Sequence, residues 1–135
     1  MKVAIVVSES YNEFEIDYQA FEDRVINNLK YDFEEHVSYT SMDVITNTSH
    51  NLGELVKILS SYHGNSYKVF RKNINLHGSE AEREIEHSII HEADYIIAFD
   101  NGEDDMVSNI IELAKKHKTP YTINKIQPKS RYYES

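Results

Sequence analysis

The sequence predicts an α/β fold built on a mostly parallel sheet of about five strands, and two observations carry that prediction. Met1–Val7 is an apolar, largely β-branched run and Ala93–Asp100 holds an apolar run of strand length, the composition of parallel strands buried on both faces. Between and after them, segments with helical spacing alternate with shorter strand candidates as far as about residue 126.

In chain order, Met1–Val7 is the first strand and Ser8–Asn12 a polar turn. From Phe14 to Leu29 the residues Phe14, Tyr18, Phe21, Val25 and Leu29 recur at helical spacing and predict an amphipathic helix. Tyr31–Ser41 is polar and irregular, and Met42–Thr46 is a short strand. Leu52–Tyr62 is a helix with Leu52, Leu55, Val56 and Leu59 on one side, stopped at His63-Gly64-Asn65, where glycine suits the left-handed cap. Ser66–Phe70 is a strand and Arg71–Gly78 a loop. Ser79 is expected to cap a helix reaching about Glu92, with Glu82 at the capping-box position. Asp94–Phe99 follows as the most apolar strand. Asp104–His117 is a helix with acids in its first turn and Lys115, Lys116 and His117 in its last, as the helix dipole favours. Thr119-Pro120 breaks it, Tyr121–Asn124 is a last strand, and Lys125–Ser135 is a polar, aromatic tail.

Composition narrows the function. At 135 residues the chain is one domain, residues 1–126, with a tail at 127–135. There is no cysteine, hence no disulfide framework and no thiolate nucleophile, which fits a reducing compartment. Met1–Val7 is too short for a signal segment, and no apolar run approaches the roughly 20 residues of a membrane span, so the expectation is a soluble, cytoplasmic protein with no membrane partner. The net charge of −9 opposes binding to phosphate backbones, so no nucleic-acid partner is expected. The same charge, with 10 Tyr and 5 Phe, suits an acidic face that docks on another protein, or a homodimer. The abundance of Asn, Lys, Ile and Tyr resembles that of a low-GC bacterium or its phage.

Three stretches resemble one family: Lys2-Val3-Ala4-Ile5-Val6-Val7-Ser8; Gly78-Ser79-Glu80-Ala81-Glu82-Arg83-Glu84-Ile85-Glu86 leading through a helix into Ala93-Asp94-Tyr95-Ile96-Ile97-Ala98-Phe99; and Ile110-Ile111-Glu112-Leu113-Ala114 through Thr119-Pro120. Together they resemble the short bacterial and phage members of the SLOG superfamily, the DUF2493 (YspA-like) family. The resemblance spans roughly residues 1–126. It implies a Rossmann-like three-layer α/β/α domain that binds nucleotide-derived small molecules at the C-terminal edge of its sheet. The family's ligand motifs are altered here. Where similar proteins carry Gly-Ser-Arg, this chain has Val7, Ser8 and Glu9. A Gly-Gly-x-x-Gly-x-Asp loop is replaced by Thr46-Asn47-Thr48-Ser49-His50-Asn51-Leu52-Gly53-Glu54, and an Arg-Asn pair by Ile85 and Glu86. Glycines let backbone N–H groups close around a phosphate and arginine adds a bidentate charge, so Glu9 and Glu86 would repel the phosphate such a site holds.

The candidate ligand-binding residues are therefore Ser8, Glu9, Thr46, Asn47, Thr48, Ser49, Asn51, Asp100 and Asp104, grouped by the rule that open α/β sheets bind ligands past the carboxyl ends of their strands. Asp100, Glu103, Asp104 and Asp105 could bind a ribose hydroxyl or act as a base, or simply satisfy a helix N-terminus. Ser49 and His50 are adjacent and so do not face one another as a nucleophile–base pair. His87 and His91 share a helix face at a spacing that suits a divalent metal, but the sequence supplies no third ligand, and neither a metal nor a cofactor is expected. The expected function is a divergent, non-catalytic SLOG-like domain that binds a nucleotide-derived small molecule. The alternatives are an acidic protein-interaction module, such as a phage-encoded modulator of a host protein, and a nucleoside hydrolase or transferase.

Overall fold

A computed structural model describes residues 1–8, 16–33, 42–48, 52–71, 75, 78–102 and 105–126. Its elements, in chain order, are β1 (Lys2–Val7), α1 (Tyr18–Phe33), β2 (Asp43–Thr46), α2 (Leu52–Tyr62), β3 (Ser66–Val69), α3 (Ser79–Glu92), β4 (Tyr95–Asp100), α4 (Asp105–His117) and β5 (Tyr121–Lys125). All five strands are parallel and run in the order β3-β2-β1-β4-β5. The fold is a three-layer, Rossmann-like α/β/α domain, as the strand–helix alternation predicts.

Each face of the sheet has its own core. Val3, Ile5, Val7, Val44, Tyr95, Ile97 and Phe99 point to one side, where they meet Phe21, Val25 and Leu29 of α1 and Leu52, Val56 and Leu59 of α2. Ala4, Val6, Ile45, Ile96 and Ala98 point to the other, against α3 and α4. The alternation along a strand produces this division, and Val3–Val7 of β1 and Tyr95–Phe99 of β4 are apolar because helices cover both faces of these strands. The edge strands β3 and β5 are only partly buried and carry Lys68 and Lys125.

α1 starts four residues later than the apolar spacing suggests. Asp17 sets the start: its Oδ1 accepts from the Ala20 N–H at 2.8 Å, a side-chain cap hidden within an acidic run. The helix then continues through Phe33, since no glycine or proline stops it at Tyr31. Near its beginning, Glu22 Oε2 accepts from Tyr18 Oη at 2.7 Å and lies 3.2 Å from His63 Nε2 at the end of α2. Further on, Arg24 reaches the Lys125 carbonyl and Asn28 pairs with Asn124 of β5. The Tyr18 hydroxyl holds the Glu22 carboxyl below its usual range; burial opposes this and His63 adds to it.

The helix ends differ. α2 ends at Gly64, φ 69°, with Asn65 N–H on the Ser60 carbonyl and Gly64 N–H on the Ser61 carbonyl. α4 closes with the same pair of bonds, Thr119 to Ala114 and Lys118 to Lys115, but the left-handed residue is Lys118, φ 60°. That conformation costs a residue with a Cβ roughly 1–2 kcal/mol. At α3 the N-cap position falls to Gly78, φ 54°, and not to the expected Ser79, which is the first helical residue.

At the N-terminal edge of the sheet, Asp94 joins the starts of β1 and β4. Its Oδ2 accepts from the Lys2 N–H and its own N–H donates to the Lys2 carbonyl, both at 2.8 Å. Glu92 bridges Lys2 and Lys68, 3.2 Å from each. Burial alone would raise its carboxyl, but the two ammonium groups outweigh burial and hold it below the usual range. No helix among the described residues is long and apolar enough to cross a membrane.

Glu86 of α3 is buried, its Oε2 accepting from Asn109 Nδ2 of α4 at 3.0 Å. Burial raises its carboxyl above the usual range, against the Asn109 hydrogen bond, and Glu82 adds to the rise. The folded state thus holds this proton more tightly than the unfolded chain does. Stability contributed here falls as pH rises from the ordinary carboxylate value through the raised one. We expect Glu86→Gln, which can still accept from Asn109, to gain thermal stability relative to the parent at pH 7 and to lose most of that advantage at pH 4. Equal melting differences at the two pH values would refute this.

Candidate functional site

The strand order fixes where a ligand crevice belongs. From β1 the chain steps outward through β2 to β3, then returns on the opposite face through α3 to β4. The connections diverge between β1 and β4, and ligands of open α/β sheets bind just past the strand ends at such a point. β1 ends at Val7, paired with Phe99 in β4, so Ser8 and Asp100 sit side by side at this edge. Thr46, Asn47 and Thr48 come from the end of the neighbouring β2. The structure therefore brings together five of the nine residues selected from the sequence. The other four, Glu9, Ser49, Asn51 and Asp104, lie outside the described residues, as do His50 and Glu103.

Most of the polar atoms gathered here serve the fold. The Asn47 carboxamide is turned into the protein and pairs with the Val7 backbone: Oδ1 accepts from the Val7 N–H and Nδ2 donates to the Val7 carbonyl, both at 2.9 Å. Its other amide hydrogen is directed at Met106 Sδ, 3.5 Å away. β2 has ended by this level, and one side chain replaces the missing ladder partner. The Ser8 hydroxyl donates to the Phe99 carbonyl at 3.4 Å and accepts from the Asn101 N–H at 3.2 Å. Asp100 Oδ1 accepts from the Gly102 N–H at 2.9 Å, shaping a turn in which Gly102 takes φ 82°, and Oδ2 lies 3.8 Å from Lys125 Nζ. On the α1 side the end of the crevice is filled by Phe21, whose ring stands 4.6 Å from that of Phe99.

Thr46 differs from these. It is fully buried at the end of β2, and its Oγ1 finds no hydrogen-bond partner among the described residues. Strand alternation puts it on the face covered by α2. A second buried hydroxyl without a partner among the described residues, that of Tyr67, lies on β3 on the same face. Buried polar atoms are almost always satisfied, so each such atom calls for an explanation.

Gly53 sets how closely α2 approaches this edge. A Cβ there would stand 2.1 Å from the Thr48 carbonyl oxygen, so only glycine allows the first turn of α2 to rest on the turn after β2. From sequence it is a single glycine in a polar stretch; in the fold it fixes the start of a helix whose first N–H groups have no partners within the helix.

Two expectations concerning other groups can be compared with the geometry. Glu86 bonds to Asn109 across the α3–α4 contact, and Ile85 is core, so both residues serve helix packing. His87 and His91 do share a groove, with His117 of α4 on its wall, yet among the described residues no three His, Cys, Asp or Glu side chains converge to hold a metal. No family model, curated protein or solved structure matches the chain.

Two substitutions test this account. Asn47→Leu keeps the volume but orphans the buried Val7 N–H and carbonyl, and should cost roughly 2–5 kcal/mol in denaturant unfolding. Gly53→Ala must push α2 off Thr48 and should cost about 1–3 kcal/mol. A loss under about 0.5 kcal/mol from either would mean that the corresponding contact does not hold this edge.

Proposed function

We propose that this chain is a divergent, non-catalytic SLOG-like domain that binds a nucleotide-derived small molecule at the C-terminal edge of its sheet. The observation that carries the reading is the Thr46 hydroxyl, fully buried and without a partner among the described residues, at the end of β2 beside the approach of α2. A ligand oxygen or nitrogen seated there would complete it, and the first N–H groups of α2 would favour a small anionic group nearby. The reading is non-catalytic because Ser8, Asn47 and Asp100, the groups with the most chemical capacity at this edge, are engaged in internal hydrogen bonds.

A second reading, a protein-interaction module, draws support from α2. Ile58 and Tyr62 stand four residues apart and are 46% and 78% exposed, with Tyr18 6.3 Å from the Tyr62 ring. In a chain of net charge −9, a small apolar step of this kind suits a partner that is basic around an apolar centre.

The ligand reading is tested by melting the protein with and without millimolar nucleotides, nucleosides and nucleotide sugars, since binding to the folded state must raise its apparent stability. We expect at least one to raise Tm, and Thr46→Val to abolish that rise. Without ligand the variant should be more stable than the parent by about 1 kcal/mol, because an unpaired buried hydroxyl is removed. If no compound shifts Tm, or if Thr46→Val leaves the shift intact, the reading fails; the double substitution Ile58→Ser, Tyr62→Ser tests the alternative separately.

A further inference from the structure

Past the end of β4 the chain turns through Asn101 and Gly102, the one place in the sequence where glycine follows asparagine. The Asp100 carbonyl accepts from the Ile126 N–H, so the strand is held as far as that residue. In the turn itself the Asn101 N–H donates to Ser8 Oγ at 3.2 Å, and the Gly102 N–H donates to Asp100 Oδ1 at 2.9 Å. Gly102 is exposed at φ 82°, and a Cβ placed on it would meet nothing within 4 Å. Its nitrogen therefore has no side chain crowding it and open space beside it.

The side-chain amide of an asparagine is open to attack by the nitrogen of the next residue, and glycine at that place removes the steric barrier. The Gly102 nitrogen gives its proton to hydroxide and attacks Cγ of Asn101. The N–Cγ bond forms, the Cγ–Nδ2 bond breaks, and the amide nitrogen leaves as ammonia with a proton from water. Water then opens the cyclic imide at either of its carbonyls, giving aspartate or isoaspartate. The balance is a water consumed and an ammonia released, so the step requires no oxidant, cofactor or second protein.

We propose that Asn101 is a site of spontaneous deamidation, with water as the co-reactant, and that Asp100 sets its rate. While the Gly102 N–H points at the Asp100 carboxylate, the nitrogen keeps its proton and is tied away from attack. Asn101 Nδ2 is buried as well, so ammonia leaves only as the turn opens. Reaction runs through the molecules in which the turn is open, which makes the change slow and one-way. The product adds a carboxylate beside Asp100 and makes the C-terminal edge of the sheet more acidic with age. The isoaspartate form also inserts a methylene into the main chain and displaces the Gly102 N–H from Asp100. The site requires no ligand at that edge and does not depend on the function proposed for it.

The test is incubation of the whole folded chain at pH 8.5 and 37 °C, with peptide mapping by mass spectrometry at intervals. The peptide that contains Asn101 should gain the mass of an amide-to-carboxyl change before any other asparagine peptide does, and should separate into aspartate and isoaspartate forms. Asp100→Ala should speed the change about tenfold or more, the weight of one hydrogen bond to a charged acceptor. Unfolding the parent in urea should speed it at least as much, which measures the same restraint if Asp100→Ala does not fold. Gly102→Ala should suppress the change, because its Cβ crowds the attacking nitrogen. No product at Asn101 in the folded parent, aspartate without isoaspartate, a rate unchanged in folded Asp100→Ala, or equal rates in the folded parent and in urea would each overturn the proposal.

Discussion

The two hydrogen bonds between the Asn47 side chain and the Val7 backbone are the constraint on which the rest of the structure depends. A parallel sheet whose connections diverge must leave some strand end without a neighbour, and buried backbone groups cannot be left unpaired. β1 outlasts β2, so the last residue of the central strand faces a gap on one side. Asn47 closes it with a side chain that presents the donor and acceptor of a peptide group. Ser8 does the same on the other side, tying β1 to the loop after β4. With both in place the central strand is fully bonded to its last residue, and the apolar layers on either face can pack against a defined edge.

That solution narrows the chemistry. Groups that could have met a ligand at the divergence point hold the sheet together instead, and Phe21 fills the space over Phe99. What is left without an internal partner among the described residues is the Thr46 hydroxyl, buried where β2 gives way to α2. The carboxylates follow a similar logic. Glu86, Glu92 and Glu22 each bind neighbouring elements, so these three of the 23 acids serve the fold.

The sequence disclosed the fold well because its strongest signals were local and redundant. Tyr95–Phe99 is apolar at every position, Leu52–Tyr62 has both its stripe and its terminating glycine, and Thr119-Pro120 marks a stop. It was less informative where one residue decided the outcome. The start of α1 turned on Asp17, one acid among several, and the N-cap of α3 fell to Gly78, one residue before Ser79. At the candidate site, topology alone placed Ser8, Thr46, Asn47, Thr48 and Asp100 at one edge. It could not show which way their polar atoms turn, because the need for Asn47 at Val7 arises from the relative lengths of β1 and β2, a matter of register between distant segments.

The two outer strands have a consequence for the molecule's behaviour in a crowded solution. β3 and β5 leave rows of backbone donors and acceptors at the margins of the sheet, each a template for an unwanted extra strand. Both are short, and each carries a lysine, Lys68 on one and Lys125 on the other. A second copy approaching either margin in register would have to desolvate an ammonium group to extend the sheet. That desolvation makes extension of the sheet at either margin costly.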